Sequence, residues 1–300
     1  MHDTIFLNKE AVMPGFKLDN FSQFLCREKE VDHILFYFKK MFRQCPIENL
    51  LIITQGGTGV STLLDLCVRF AEQISKQLNQ KLCVITVDCE KYNTDFSILN
   101  YVRNSLPYEG KKPKALRGSC YYTRAIKEFI CNYDGRVIII LENADKIKGD
   151  DYAIEMFVRM VETDHFLDHD PCKVRNHPFL IFVTKNLRFG SDFNSSLDSR
   201  YHPWTTVMTN YDGDKIRKIL TERVKVAFKP DVISPEVLDL LVTTNDELDR
   251  DMSLAMDFLL RAGEIADERG QDKITLDIMQ ELIHKHYYEE DPKSLEEEIY

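Results

Sequence analysis

The stretch TQGGTGVST, residues 54–62, decides the fold of this chain. It lies between the apolar run LLII (50–53) and the helix-like segment LLDLCVRFAEQISKQL (63–78). A strand, a glycine-rich turn and a helix in this order form the setting in which backbone N–H groups cradle the phosphates of a nucleotide. The stretch therefore predicts a phosphate-binding loop between the first buried strand and the helix that follows it.

The match to the phosphate-loop pattern G-x-x-x-x-G-K-[ST] is partial. Gly59 and Ser61 occupy their expected positions. Thr54 replaces the first glycine, and Val60 stands where a lysine ammonium would reach the β- and γ-phosphates. The pattern alone leaves three alternatives open, namely a working nucleotide site, a degenerate one and a chance match.

Strand-like and helix-like segments alternate on either side of this loop. Apolar runs predict strands at 50–54, 82–89, 136–145 and 178–186, with a candidate fifth strand at 205–209. Apolar residues at helical spacing predict helices at 28–44, 62–78, 97–106, 121–133, 154–162 and 212–228. Because each strand is nearly all apolar, we expect a parallel sheet that is covered by helices on both faces.

Only helical patterns follow this alternating region. Helices are predicted at 234–244, 252–270 and 275–288. We therefore divide the chain into a lead-in segment at 1–20, an α/β domain at 21–228, a helical domain at 229–290 and an acidic tail at 291–300.

The composition is that of a globular chain without a membrane span or a secretory signal. Of its 300 residues, 44% are hydrophobic and 29% are charged, and no run of about 18 apolar residues occurs. The eight cysteines form no CxxC pair, which favours buried, reduced thiols in the cytosol or nucleus. A formal charge of −10 argues against a chain that coats nucleic acid with its whole surface.

Four stretches carry a resemblance to one family. They are FLCREKEVDHI (24–34), TQGGTGVSTLL (54–64), VIIILENAD (137–145) and DRDMSLAMDFLLRAGEIADERGQDKIT (249–275). They resemble, in that order, the entry motif, Walker A loop, Walker B strand and lid helix of AAA+ replication initiators, the family of the largest origin-recognition-complex subunit. The resemblance implies an AAA+ P-loop three-layer domain with a parallel sheet, followed by a small helical lid. The family's winged-helix domain has no counterpart here, so we expect a fragment or a shortened relative.

The resemblance also indicates which catalytic groups have been replaced. Val60 takes the place of the lysine, Asn143 that of the water-activating glutamate and Ser253 that of the lid arginine. Glu142 stands for the metal-holding aspartate, and Lys185 or Asn186 falls where the family senses the γ-phosphate. The implied vestigial site comprises Thr54, Gly57, Gly59, Val60, Ser61, Thr62, Glu142, Asn143, Lys185, Asn186 and Ser253. Because phosphoryl transfer depends on positioned charge, we expect no catalytic residues, no hydrolysis, and ATP binding that is lost or very weak.

Two further stretches are candidate sites. The loop YEGKKPKALRG (108–118) carries the basic residues Lys111, Lys112, Lys114 and Arg117, and the family has a DNA-contacting insertion near this place. The loop is a candidate contact for DNA, a nucleosome or an acidic protein, and the alternative is a solvated surface loop. DHFLDHDPCKVRNH (164–177) contains three histidines and a cysteine, but its irregular pattern favours a solvated loop over a metal site.

The pattern of replacements favours an interaction protein. It is similar in kind to the yeast silent-information-regulator paralogue of the large origin subunit, which implies a nuclear scaffold for nucleosomes, silencing partners and heterochromatin, with self-association left open. One alternative is a divergent origin-complex subunit that still binds ATP at a subunit interface. Another is an inactive, structural subunit of a replication complex.

Overall fold

A computed structural model describes residues 4–43, 49–108, 119–149, 151–159, 178–191, 193, 195–248 and 250–289. The chain divides into two compact units. The sheet unit contains the described residues of 29–54 and 64–208, and the helical unit contains those of 4–28, 55–63 and 209–289. Each unit is described by itself.

The sheet unit is built on five parallel strands. They are β1 (Leu50–Thr54), β2 (Lys81–Asp88), β3 (Gly135–Glu142), β4 (Phe179–Thr184) and β5 (Trp204–Met208). Their spatial order is β2-β3-β4-β1-β5, and every neighbouring pair is parallel. The predicted parallel sheet is confirmed, and the candidate fifth strand is its edge strand next to β1.

Both faces of the sheet are buried along its central strands β1, β3 and β4, which are apolar at nearly every position. The helices are α1 (Glu28–Met41), α2 (Val60–Gln77), α3 (Asp95–Ser105), α4 (Ser119–Asn132), α5 (Tyr152–Arg159) and the short α6 (Ser195–Asp198). Leu51 and Ile53 belong to the core cluster that α3, α4 and α5 share with the sheet. Leu50 and Ile52, which alternate with them, are also buried, and on β4 Phe179 packs edge-on against Phe38 of α1. The predicted three-layer arrangement is thereby confirmed.

Four helices form the helical unit. They are α7 (Gly213–Ala227), α8 (Pro235–Glu247), α9 (Met252–Glu268) and α10 (Leu276–Glu289), and we refer to α8, α9 and α10 as the lid. The side chains of Asp212, Ser234 and Asp251 accept backbone N–H bonds at the starts of α7, α8 and α9. Helix α7 shares the apolar core of the lid, although the sequence-based division placed its residues in 21–228. The domain boundaries at 20, 228 and 290 stay predictions.

The described part of the lead-in segment packs into the helical unit. Ile5 and Phe6 are buried, and the Phe6 ring stacks on Phe228 with 4.8 Å between centroids. The backbone N–H groups of Leu7 and Asn8 both donate to the carbonyl of Ala227. Residues Lys9–Val12 then form a 3-10 helix. The segment is therefore a structural part of this unit, because its apolar side chains complete the core at the end of α7.

Membrane and thiol features agree with the composition. In the part of the chain that the structure describes, no helix combines the length and apolarity needed to cross a membrane. Among the described cysteines, Cys67, Cys83 and Cys89 are buried, Cys26 and Cys131 are half-buried, and none of these five forms a disulfide.

Candidate functional site

The glycine-rich loop joins β1 to α2 as the sequence predicts. Thr54 is the last residue of β1 and is buried, and Val60 is the first residue of α2. Gly57 and Gly59 have φ values of +67° and +83°. Left-handed backbone is costly for a residue with a side chain, so the turn depends on glycine at both positions.

Groups from outside the loop hold it in place. Thr58 is 1% exposed, and its carbonyl accepts a hydrogen bond from the Tyr211 hydroxyl at 3.1 Å. Its own hydroxyl donates to the carbonyl of Gln55 at 3.3 Å. Phe24 covers Gly59 so closely that a methyl group there would lie 3.0 Å from the ring. The loop is thus fixed by aromatic side chains within the helical unit.

Arg27 extends this support. Its guanidinium carbon lies 4.0 Å from the ring centroid of Tyr211, and the group donates to the carbonyl of Thr209. The stretch FLCREKEVDHI (24–34) predicted a resemblance to the family's entry motif, and the sequence predicted no site role for Phe24, Arg27 or Tyr211. Phe24 and Arg27 could have been suspected, because they belong to a family-like motif that precedes the loop in sequence. Nothing in the sequence around Tyr211 singled it out.

The start of α2 carries no cation. Val60 and Thr62 are half-buried, and Ser61 is exposed. The stretch 54–62 contains neither lysine nor arginine. The loop and the first turn of α2 therefore offer an anion backbone N–H groups, hydroxyls and the Gln55 amide, all of them uncharged.

Ser253 lies in the first turn of α9, within the same unit as the loop. Its backbone N–H donates to Oδ1 of Asp251 at 2.7 Å. The Asp251 carboxylate in turn lies against Gly56 and Gly57 of the loop. The structure thus brings the start of the lid helix and the glycine-rich loop together, and the side chain at their contact is an acid.

In the sheet unit, Glu142 and Asn143 follow one another at the carboxyl end of β3. Asn143 has a left-handed backbone, with φ +54°, and its side-chain amide donates to Oδ1 of Asp88 at 3.1 Å. Asp88 ends the neighbouring strand β2. Burial, and then the charge of Asp88, raise the pKa of the Glu142 carboxyl above its ordinary value. A carboxylate at the position of Asn143 would add one more acid beside Asp88 and Glu142 at this end of the sheet.

Asp145 joins the ends of β3 and β4. It accepts hydrogen bonds from the Thr184 hydroxyl at 3.0 Å and from the Lys185 backbone N–H at 3.1 Å. Partial burial acts to raise the pKa of Asp145, but these hydrogen bonds outweigh it and the pKa lies below its ordinary value. No site role was predicted for Asp145 from the sequence, although it is the last residue of the Walker B-like stretch VIIILENAD (137–145).

The two γ-phosphate-sensing candidates are used differently. Lys185 contributes its backbone N–H to Asp145. Asn186 forms a local turn, donating its N–H to Thr184 and accepting the N–H of Arg188 with its side chain at 2.9 Å. Both side chains are exposed, and the bond from Arg188 uses only the side-chain oxygen of Asn186, so the Lys185 ammonium and the Asn186 amide could each meet an anion.

Two predicted sites lie outside the described residues. One is the basic loop with Lys111, Lys112, Lys114 and Arg117, and the other is the histidine-containing segment 164–177. Among the residues that are described, no group of three or more histidine, cysteine, aspartate or glutamate side chains could hold a metal ion.

A family model matches most of the helical unit. Residues 217–281, which run from within α7 into α10, match the model of the Cdc6 AAA+ ATPase-type lid domain. The chain is 26% identical to an ORC1-type DNA replication protein of Thermococcus kodakarensis over 277 residues, covering 90% of this chain and 63% of that protein. The chain is 21% identical to ORC1-type DNA replication protein 5 of Halobacterium salinarum, covering 94% of this chain and 67% of that protein. The chain therefore spans less than two thirds of the length of the Thermococcus relative.

Solved structures agree with this fold. The ORC1 protein of Aeropyrum pernix in complex with DNA superposes with a TM-score of 0.77 at 19% identity, over 94% of this chain and 70% of that one. Cdc6p of Pyrobaculum aerophilum superposes with a TM-score of 0.74 at 16% identity, over 90% of this chain and 69% of that one. A chain of Drosophila ORC bound to DNA superposes with a TM-score of 0.69 at 16% identity, over 91% of this chain and 63% of that one.

Proposed function

Since the chain has an ORC1/Cdc6-like AAA+ domain and is related to the replication-initiator AAA+ proteins, we propose that it acts as a non-catalytic scaffold of this family. In this proposal the domain keeps its fold for contacts with other macromolecules and turns over no ATP. It takes no nucleotide cofactor, because ATP binding is lost or very weak.

One observation carries the proposal: three charged groups of the family's site are replaced together. Val60, Asn143 and Ser253 stand where the family pattern has a lysine, a glutamate and an arginine. Removing one such group from a phosphoryl-transfer or acyl-transfer site costs on the order of 100-fold or more in rate. Asn143 cannot accept a proton, and its amide already binds Asp88. These three replacements, and the hydrogen bond of Asn143 to Asp88, support a loss of ATP hydrolysis.

We further propose that the macromolecule is chromatin. A nuclear protein of this kind would bind nucleosomes and a silencing partner in heterochromatin, as the resemblance to the silencing paralogue implies. The basic residues Lys111, Lys112, Lys114 and Arg117 would supply the contact, on a chain whose net charge is −10. Contacts of lysine and arginine with DNA phosphates are independent of sequence and weaken with salt.

Two measurements test the proposal. Purified protein with Mg²⁺ and ATP is expected to release phosphate at the rate of a Glu142→Gln, Val60→Ala control, that is, at background. Reconstituted nucleosomes are expected to bind, and reversing the four basic charges to glutamate is expected to weaken binding at least about tenfold at physiological salt. A matched control reverses four exposed lysines elsewhere, namely Lys29, Lys76, Lys148 and Lys273. ATP turnover at a motor-protein rate, or equal losses in both reversal variants, would contradict the proposal.

A second candidate function is a divergent origin-recognition-complex subunit that retains ATP binding at a subunit interface and acts in replication initiation. It is favoured by the relatives, which are ORC1-type replication proteins, and by the DNA complexes among the similar structures. In that case a neighbouring subunit would supply the missing charges. Affinity purification from nuclei separates the two functions: origin subunits in the eluate support this second function, and histones with silencing factors support the first.

A further inference from the structure

The carboxylate of Asp251 lies directly on the Gly56–Gly57 backbone. A methyl group added to Gly57 would meet Oδ1 of Asp251 and would lie 2.5 Å from the Met252 nitrogen and 2.7 Å from Cγ of Asp251. A methyl group on Gly56 would lie 2.9 Å from Oδ2. At Gly57 the Met252 backbone nitrogen excludes a side chain unless the lid moves, whereas at Gly56 only the Asp251 carboxylate would have to shift. We name this contact between Gly56, Gly57 and Asp251 the loop–lid contact.

Several hydrogen bonds hold Asp251 in this position. Asn245, at 0% exposure, donates from its side-chain amide to the Asp251 carbonyl at 2.7 Å. The carbonyl of Asn245 accepts the Arg250 N–H at 2.9 Å, and Arg250 adopts a left-handed backbone with φ +57°. Oδ1 of Asp251 accepts the Ser253 N–H, which caps α9. The turn between α8 and α9 is thus a built structure that presents one carboxylate to the loop.

We propose that Gly56 and Gly57 serve as the docking site of the lid, and that the Asp251 carboxylate disfavours phosphate groups at the loop. This inference rests on the proposed non-catalytic function, because weak binding of phosphate groups is expected only of a site that no longer turns over ATP. Two features support it. The Met252 backbone nitrogen leaves no room for a side chain at Gly57, and the Asp251 carboxylate lies against both glycines. The stretch 54–62 contains no lysine or arginine, so no side chain of the loop itself offsets the negative charge of Asp251.

The steric half is tested with two glycine-to-alanine variants of matched backbone strain. Gly57 has φ +67° and lies against the lid, and Gly270 has φ +64° with nothing within 4 Å of the added methyl group. Hydrogen exchange of the amides in 55–60 and 252–256 is expected to be at least about tenfold faster in Gly57→Ala than in Gly270→Ala, because only the first substitution displaces the lid. Asp251→Gly removes the same contact from the other side and is expected to accelerate the same amides. Exchange that is equal in all three variants would overturn the docking role.

The electrostatic half is tested with inorganic pyrophosphate. Asp251→Asn keeps the size of the side chain and an oxygen that can cap α9, but removes the charge. Asp277→Asn is the matched control, since Asp277 is an exposed first-turn residue of α10. By titration calorimetry, Asp251→Asn is expected to bind pyrophosphate about tenfold more tightly than the wild type, and Asp277→Asn as weakly as the wild type. No gain in Asp251→Asn would overturn this half.

These outcomes separate the inference from the proposed function. The exchange experiment uses no nucleotide and no partner, so its failure leaves the scaffold proposal intact. ATP turnover by the wild-type protein would end the scaffold proposal and would leave a positive exchange result unchanged.

Discussion

Asn143 donates a hydrogen bond from its side-chain amide to Oδ1 of Asp88 at 3.1 Å, and so joins the ends of the neighbouring strands β3 and β2. The contact has a neutral donor facing a carboxylate. Glu142, the residue before Asn143, already has a raised pKa, caused by its burial and then by Asp88. Asn143 therefore stabilises an acidic end of the sheet that a glutamate in its place would make still more negative.

The first prediction concerns restoration of the family's glutamate. Asn143→Glu is expected to lower the free energy of unfolding by about 1 kcal/mol at pH 7, because it replaces a hydrogen bond to Asp88 with like-charge repulsion at a partly exposed site. Urea unfolding measures this change. ATP turnover is expected to stay at background, since Val60 and Ser253 are unchanged.

The control for this prediction is a double-mutant cycle. In the Asp88→Asn background, Asn143→Glu is expected to cost less, because the repulsion with Asp88 is gone and only the strain of a glutamate in left-handed backbone remains. An equal cost in both backgrounds would contradict the role assigned to Asp88.

A second prediction concerns the position of the missing cation. Val60→Lys is expected to tighten ADP binding by about tenfold, since a lysine at the start of α2 adds the charge that phosphates require. Val60→Met is the uncharged control of similar length. Fluorescence titration with a labelled ADP measures the affinity. Equal affinity in both variants would indicate that the Asp251 carboxylate or the loop itself, rather than the missing lysine, limits binding.

Much of the fold could be predicted from sequence because the local patterns and the tertiary packing agree. The central strands β1, β3 and β4 are apolar at nearly every position, which a sheet covered on both faces accommodates, and the helix predicted at 252–270 is observed as Met252–Glu268. The lead-in segment was the exception. Its apolar residues Ile5 and Phe6 are too few for a periodic pattern, and their burial depends on a partner more than 200 residues away, Phe228.

The candidate site was predictable only for residues that lie in quoted motifs. Val60, Asn143 and Ser253 follow from motif positions in the sequence. The contact of Asp251 with Gly57 could not be predicted, because it joins a loop and a helix start that are far apart in sequence. The hydrogen bond from Tyr211 to Thr58 was missed for the same reason. Hydrogen-bond partners at such distances are set by tertiary structure, which neither periodicity nor spacing encodes.

A third prediction concerns alkaline pH. Burial raises the pKa of Cys67 and of Cys89 to about 12 and that of Cys83 to about 11. The unfolded chain releases these protons near the ordinary value of 9.0, before the folded chain does. The unfolded state therefore binds fewer protons above that pH, and stability falls as pH rises, by about 1.4 kcal/mol per pH unit for each thiol.

The measurement compares urea unfolding at several pH values between about 9 and 11, where the thiols titrate in the unfolded chain. Cys67→Ala is expected to reduce the slope of stability against pH by about 1.4 kcal/mol per unit. Leu66→Ala, which removes a buried side chain without a thiol, is expected to lower stability and leave the slope unchanged. If Cys67→Ala also keeps the wild-type slope, burial does not raise the pKa of Cys67 in the folded state, and the prediction is wrong.

The fourth prediction concerns the lead-in segment. Phe6 is 8% exposed and stacks on Phe228, whereas its neighbour Leu7 is 61% exposed. Phe6→Ala is expected to destabilise the helical unit by about 3 kcal/mol, because it removes a buried ring and leaves a cavity beside Phe228. Leu7→Ala, the adjacent control, is expected to change stability by no more than about 0.5 kcal/mol. Chemical denaturation measures the stability of each variant, and hydrogen exchange of the α9 amides in the native protein shows whether the loss lies in the helical unit. If the two substitutions had the same small effect, the segment would lie on the helical unit without contributing to its core.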